Sequence, residues 1–307
     1  MIKSASVFSV IISVMICVAD FAHGADGGKY SVINIWEPGS YNLRQDAASS
    51  MITSIDKEVV TRVQTQVSFF WKANVENLKE DGSQKMTLQT TRIIYQGESG
   101  TRDASFFDSS NSRQSNDFVQ ELFQRFMKAN VSLTFKNGEI DNFEVNEVWE
   151  GFTAKNDSDR MLLEQFRSVL TKDAFTQFFD PFSWASTPAE IALAQEWKNK
   201  ISRSVPLIEM DGDLDLEWSC RLDSVKKDAN KLIANVVARS RTELTLDESM
   251  TAEVNSEIKA GYVAETGSPH DLEVRTTVNA VRQADSKNAS DLKIVELQRN
   301  KLQVVKH

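Results

Sequence analysis

From Arg62 to Trp71 the chain alternates: Val63, Thr65, Val67, Phe69 and Trp71 fall on one side, Arg62, Gln64, Gln66 and Ser68 on the other. A period of two puts successive side chains on opposite faces of an extended backbone, so this stretch reads as a strand with one buried face. The same pattern returns late in the chain. Leu214, Leu216, Trp218 and Cys220 alternate with Asp213, Asp215, Glu217 and Ser219, and Leu232, Ala234, Val236 and Ala238 alternate with Ile233, Asn235, Val237 and Arg239. Thr242 to Leu246, Val274 to Val281 and Leu292 to Val305 read as further strands.

Turn chemistry connects several of them. Glu80-Asp81-Gly82-Ser83 separates the first strand from a return over Met86, Leu88, Thr90, Arg92 and Ile94. Asn137-Gly138 separates Val131–Phe135 from Ile140–Val145. Asp-Gly and Asn-Gly supply the positive φ angles that tight hairpins need.

Between the hairpins, Phe118, Val119, Leu122, Phe123, Phe126 and Met127 recur at spacings of three and four behind capping Ser115 or Asn116, which predicts an amphipathic helix. Met161, Leu162, Phe166, Val169 and Leu170 predict a second, with Asp157, Ser158 and Asp159 capping it. Phe175, Phe178 and Phe179 predict a third, ended by Asp180-Pro181. Thr187-Pro188-Ala189-Glu190 has the make-up of one more helix start, carrying Ile191, Ala194, Gln195 and Lys198, with Trp197 near its end. The order strands, helices, strands predicts an α+β fold: antiparallel sheet of long amphipathic strands with a central helical tract packed on it. The expected divisions are a β-rich half with one helix over 25–146, helices over 147–204 and a second β-rich half over 205–307, with no flexible linker, so that the halves form one body.

The first 24 residues read as a secretory signal: Met1-Ile2-Lys3, an apolar run from Val7 to Val18, and Ala22 and Gly24 ahead of a cut before Ala25. Ile16 before Cys17 does not fit a lipoprotein signal. The expected protein is a soluble one, periplasmic or secreted, with no further apolar stretch of membrane-spanning length. Removal of the signal leaves Cys220 alone, so no internal disulfide can form and the fold rests on its hydrophobic core. A net charge of −9 argues against nucleic acid or an anionic membrane as partner.

The layout also resembles a family of bacterial secreted proteins of unknown function. The features that carry the resemblance are Glu80-Asp81-Gly82, Phe107-Asp108-Ser109 ahead of the helix from Asn116, Phe135-Lys136-Asn137-Gly138, and Trp197 at the entry to the second set of strands. It implies the same strand–helix–strand arrangement and assigns no reaction or catalytic residue.

Candidate chemistry is sparse. Asp211, Asp213, Asp215 and Glu217 would stand on one face of a strand about 7 Å apart, which suits a solvated face better than the wrapped oxygen shell of a calcium ion. Asp103 and Asp108 flank a Phe pair, and Asp157 and Asp159 precede a helix. Either pair works as acid and base only where burial separates their pKa values. His270, in Gly267-Ser268-Pro269-His270, reads as an exposed turn residue, and His307 is terminal. No Gly-x-Ser-x-Gly elbow or phosphate loop occurs, and the His and Cys content is too low to suggest a zinc or haem site. No cofactor or metal is expected.

The aromatic residues remain, with 17 Phe and 6 Trp. Phe166, Phe175, Phe178, Phe179, Phe182 and Trp184 fall within a short tract and read first as packing between helices and sheet. The sharper reading lets Phe166, Phe175, Phe178 and Phe179 line a cavity for an apolar ligand. The sequence therefore points to a monomeric, non-enzymatic binding or structural module of the cell envelope, for an apolar ligand or an envelope protein. A hydrolase using Asp or Glu is the alternative.

Overall fold

The computed structural model describes residues 29–306 except 31, 100–101, 112–116, 187–189, 204–213, 246–249 and 283–290. The proposed signal peptide therefore lies outside the described residues, as do Ser115 and Asn116. Twelve strands form one antiparallel sheet in the order β6-β5-β3-β2-β1-β12-β11-β10-β9-β8-β7, with β4 paired to β3. In chain order they are β1 (Gly39–Ile55), β2 (Glu58–Val75), β3 (Ser83–Ser99), β4 (Arg102–Asp108), β5 (Asn130–Lys136), β6 (Glu139–Val145), β7 (Glu196–Arg203), β8 (Leu214–Asp228), β9 (Lys231–Thr245), β10 (Met250–Val263), β11 (Pro269–Arg282) and β12 (Leu292–Lys306). The two β-rich stretches join where β1 pairs with β12, Tyr41 opposite Lys306 and Ile55 opposite Leu292.

This corrects the expected α+β class. The described helices are short: α1 (Asp117–Phe126), α2 (Asp157–Val169), α3 (Lys172–Phe179) and α4 (Pro181–Ala185). The protein is mostly β, and the helices fill the curve of the sheet where a separate layer was expected. Part of the expected helical tract is itself strand. Thr187 to Ala189 lie outside the described residues, Ile191 exchanges backbone hydrogen bonds of 2.8 Å with Tyr30, and Glu196–Arg203 is β7. The reason is visible in the residues. Trp197, Asn199 and Ile201 alternate with Glu196, Lys198 and Lys200, so the period there is two, and the Thr-Pro signal marks no continuing helix.

Both hairpins form where the turn residues predict. Gly82 has φ +77°, and Asn137 and Gly138 have φ of 55° and 83°. The cap of α2 lies ahead of the expected Asp157, Ser158 and Asp159. Asn156 accepts the backbone N–H of Asp159 at 2.9 Å, which makes Asn156 the cap and places Asp157 and Asp159 in the first turn.

One face of the sheet is buried. Leu43, Phe69, Trp71, Ile93, Ile258, Tyr262 and Leu302 are all nearly inaccessible to water. The five-residue α4, about 7.5 Å long, touches β7, β8, β9, β10 and β11, while α3 touches β6 and β12. Five strands laid flat span about 19 Å, so the sheet curves around α4 to reach it. The ends of the sheet, β6 and β7, thus approach the same pair of short helices without pairing with each other.

Gly138 measures how closely this closure is packed. A Cβ there would meet Ser183 Oγ at 2.7 Å and Asn34 Cβ at 3.0 Å, whereas a Cβ on Gly82 meets nothing within 4 Å. Both residues have positive φ, so both alanine substitutions carry a backbone strain of about 1 kcal/mol. Gly138→Ala is expected to destabilise by roughly twice that or more, because packing strain adds to it. Urea titrations of the two variants give the comparison, and equal losses would show that the seam tolerates a methyl group.

Candidate seam cavity between the sheet edges

The gap between the two sheet ends is spanned by residues ahead of β1. Tyr30 bridges to Ile191 just before β7. Four residues on, the buried Asn34 donates through Nδ2 to the Gly138 carbonyl, to the Phe179 carbonyl at 3.3 Å and to Ser183 Oγ at 3.3 Å. Ser183 Oγ also donates to the Gly138 carbonyl at 2.5 Å. Gln84 then holds Trp36 from both sides, accepting from its N–H at 3.1 Å and donating to its carbonyl at 2.6 Å, as a neighbouring strand would. On the far side Asn199 of β7 donates to the carbonyls of Trp184 and Ser186, at 2.5 and 3.1 Å. Trp197 Nε1 donates to Ser186 at 3.2 Å. Asp180, buried at the α3–α4 junction, accepts the Ile140 N–H at 3.0 Å.

These bonds leave a cavity of about 510 Å³ along the seam. Its walls come from the β5–β6 turn, residues 33–35, α4 and Asn199–Ile201 of β7. The lining mixes polar groups fixed by the network above with Ile33, Phe135 and Trp184, and Ile35 and Leu78 stand exposed beside it. Asn34 Oδ1 is buried and has no donor among the described residues. Such an acceptor is expensive to bury, and its burial keeps it out of reach of a molecule in the cavity. The sequence does not announce this site. Asn137-Gly138 is legible as a turn, but Asn34, Ser183 and Asn199 carry no local signal of what they will meet.

The residues singled out from sequence lie elsewhere. Phe166, Phe175, Phe178 and Phe179 are buried, and of the four only Phe175 and Phe179 meet each other ring to ring. Phe166 meets Phe126 at 5.6 Å between centroids, Phe175 meets Trp71 at 5.6 Å, and Phe179 meets Phe175 at 6.3 Å and Phe135 at 5.8 Å. Only Phe179 reaches the seam network, through its backbone carbonyl. If all four rings serve as core, each Phe→Ala change should cost about 3–5 kcal/mol. A markedly smaller loss at any one of them, read by urea titration, would mark that ring as facing vacant space.

The acidic positions disperse. Asp211 and Asp213 lie outside the described residues, as does the Asp215 side chain, and Glu217 is exposed and paired with Lys198. Asp108 accepts from Arg92 at 3.0 and 2.5 Å and from Ser110, and the guanidinium holds its carboxyl well below the usual range. The Asp103 side chain lies outside the described residues. Asp157 pairs with Arg160 at 2.6 Å and Asp159 accepts from Asn156, so these two serve a helix start. Cys220 is buried, and burial pushes its thiol up to about 12. Among the described residues no group of three His, Cys, Asp or Glu side chains is placed to hold a metal.

His270 departs from the exposed-turn expectation. It opens β11 half-buried, with Nδ1 2.9 Å from Asp271 Oδ1 and Nε2 3.3 Å from Asp228 Oδ2. Its bond to Asp271 raises its pKa above 6.5, with the charges of both carboxylates adding to the shift and burial opposing it. A raised folded-state pKa means that the stabilisation is complete below the unfolded value and is lost as pH rises through the folded one. Wild-type protein should therefore gain stability over His270→Gln at pH 5.5 and lose that advantage by pH 8.5. Urea titrations at the two pH values check this, and an unchanged difference would show that the pairing contributes nothing.

The fold defines a mostly β protein built on one curved antiparallel sheet. No protein family's sequence profile matches the chain, and no curated protein does. Among solved structures it is similar to lipovitellin, in a structure described by its lipid–protein interactions, at 12% identity and a TM-score of 0.40 over 88% of this chain. The chain spans 25% of the lipovitellin chain. It is similar to an outer-membrane channel from Pseudomonas putida F1 at 9% identity, covering 92% of this chain and 100% of that one, with a TM-score of 0.25. For OccK5 of Pseudomonas aeruginosa the values are 8%, 87%, 98% and 0.24. At TM-scores below 0.5 these likenesses carry no argument about function. No helix among the described residues is long and apolar enough to cross a membrane, which says nothing of crossing by strands.

Proposed function

We propose that this chain is an exported, non-enzymatic binding protein of the cell envelope that holds its ligand in the seam cavity. The observation that carries the reading is the seam itself. A sheet that curves far enough for both ends to reach one pair of helices leaves its ends unjoined, with a 510 Å³ space beside them. The basic, apolar and small-residue pattern of residues 1–24 supports export. The seam supports an occupant with apolar groups for Ile33, Ile35 and Leu78. The hydrolase alternative needs two facing carboxylates, and Glu139 is the one carboxylate among the lining residues.

Ile201 lines the seam from β7 and is half-buried, so Ile201→Trp should fill the space while leaving the fold intact. Protein purified from its native envelope is expected to carry a bound molecule in native mass spectra, and the Trp variant is expected to lack it. The reading fails if the wild type carries nothing and no compound in a thermal-shift panel raises its melting temperature more than that of the variant.

A further inference from the structure

We propose that the occupant of the seam is an extended peptide segment of another protein, which adds to the free edge of β7. This rests on the seam being the binding site and names what it binds. Among the described residues the sheet ends at β7, which pairs with β8 on one side only. Three consecutive residues of this edge, Asn199, Lys200 and Ile201, line the cavity. In an antiparallel strand the N–H and C=O groups of successive residues aim at opposite neighbours, so at least one of these three presents its pair away from β8, toward the cavity side. Unpaired ladder groups in a cleft are what an incoming strand recognises.

The dimensions agree. At a rise of about 3.3 Å per residue, a strand spacing of about 4.8 Å and a sheet spacing of about 10 Å, one extended residue fills roughly 160 Å³. The cavity therefore holds about three residues of strand, with the ends of a longer segment running out to solvent. Ile35 and Leu78, both exposed, also line the cavity and offer apolar contact to such a segment.

Charge selects among segments: Lys200 and Glu139 are the charged side chains that line the cavity, and Lys200 is the one on the β7 edge. Lys200 stands opposite Glu217 across β7 and β8, but Glu217 is taken by Lys198. Lys200 is exposed and makes no ion pair among the described residues, although its charge reaches Glu217. Lysines on an edge discourage indiscriminate pairing, and a strand that brings a carboxylate opposite Lys200 turns that obstacle into a cross-strand pair. The partner is thus a β-prone segment of alternating apolar residues with an acidic side chain at its centre.

The test uses fluorescein-labelled, C-amidated Thr-Val-Glu-Val-Thr, its counterpart with central Lys, and a form of the acidic peptide N-methylated at alternate amides. The acidic peptide is expected to bind wild type saturably in fluorescence anisotropy, and the central-Lys and N-methylated peptides at least tenfold more weakly. Lys200→Glu is expected to reverse the preference between the Glu and Lys peptides, which a general loss of fold cannot do. Equal binding of the N-methylated peptide, or an unchanged preference in Lys200→Glu, would overturn the proposal. If no peptide binds while native protein still carries a molecule that Ile201→Trp excludes, the strand assignment fails and the binding function stands. If neither is seen, both fail.

Discussion

The amide of Asn34 is the joint on which the closure of this protein depends. It reaches the carbonyl of Gly138 at the tip of the β5–β6 hairpin, the carbonyl that ends α3, and the hydroxyl of Ser183 on α4. Those partners lie 104, 145 and 149 positions away in sequence. Hydrogen bonds to buried carbonyls contribute modestly when made and cost much more when broken without replacement, so this side chain fixes hairpin, helices and leading segment as a unit. Gly138 matches the constraint from the other side, since a Cβ there would collide with the same two residues.

The shape of the sheet follows from a mismatch of lengths. Strands of 14 to 18 residues cross the middle of the sheet, while the helices inside have 5 to 13. A small apolar filling can bury one face of so many strands only if the sheet curls, and curling brings the ends β6 and β7 close together. Rings supply most of the filling. Trp36, Trp71, Phe126, Phe175, Phe179 and Phe182 are almost wholly inaccessible, and their contacts link α1, α3 and α4 to the sheet. The seam is the remainder: a gap too polar to be core, because the helix-end carbonyls and hairpin turn that border it present backbone groups needing partners. Function is expected to sit there for the same reason.

Strand identity was legible because it rests on neighbours in sequence. Alternation in β2, β8 and β9 and the Asp-Gly and Asn-Gly turns are local physics; the start of α2 was legible too, though its cap is Asn156 and not Asp157 to Asp159. Local signals mislead where two of them compete. Thr187-Pro188-Ala189-Glu190 is a good helix start, yet Trp197, Asn199 and Ile201 keep a period of two, and pairing with β8 decided between them. His270 shows the same limit: its turn-like surroundings are real, but Asp228, 42 positions earlier in the chain, is brought to its ring only by the sheet.

What the sequence by itself determined is therefore the material: long amphipathic strands, two defined hairpins, a helical interlude rich in phenylalanine, and an amino-terminal stretch with the pattern of an export signal. Tertiary structure decided the arrangement. Which strand ends the sheet, how far it curves, and which polar side chains meet in the seam depend on contacts between residues beyond any local window, 104 to 149 positions apart at Asn34. Periodicity and turn chemistry act over a few residues, whereas closure is set by the volume of the rings that the whole sheet must wrap.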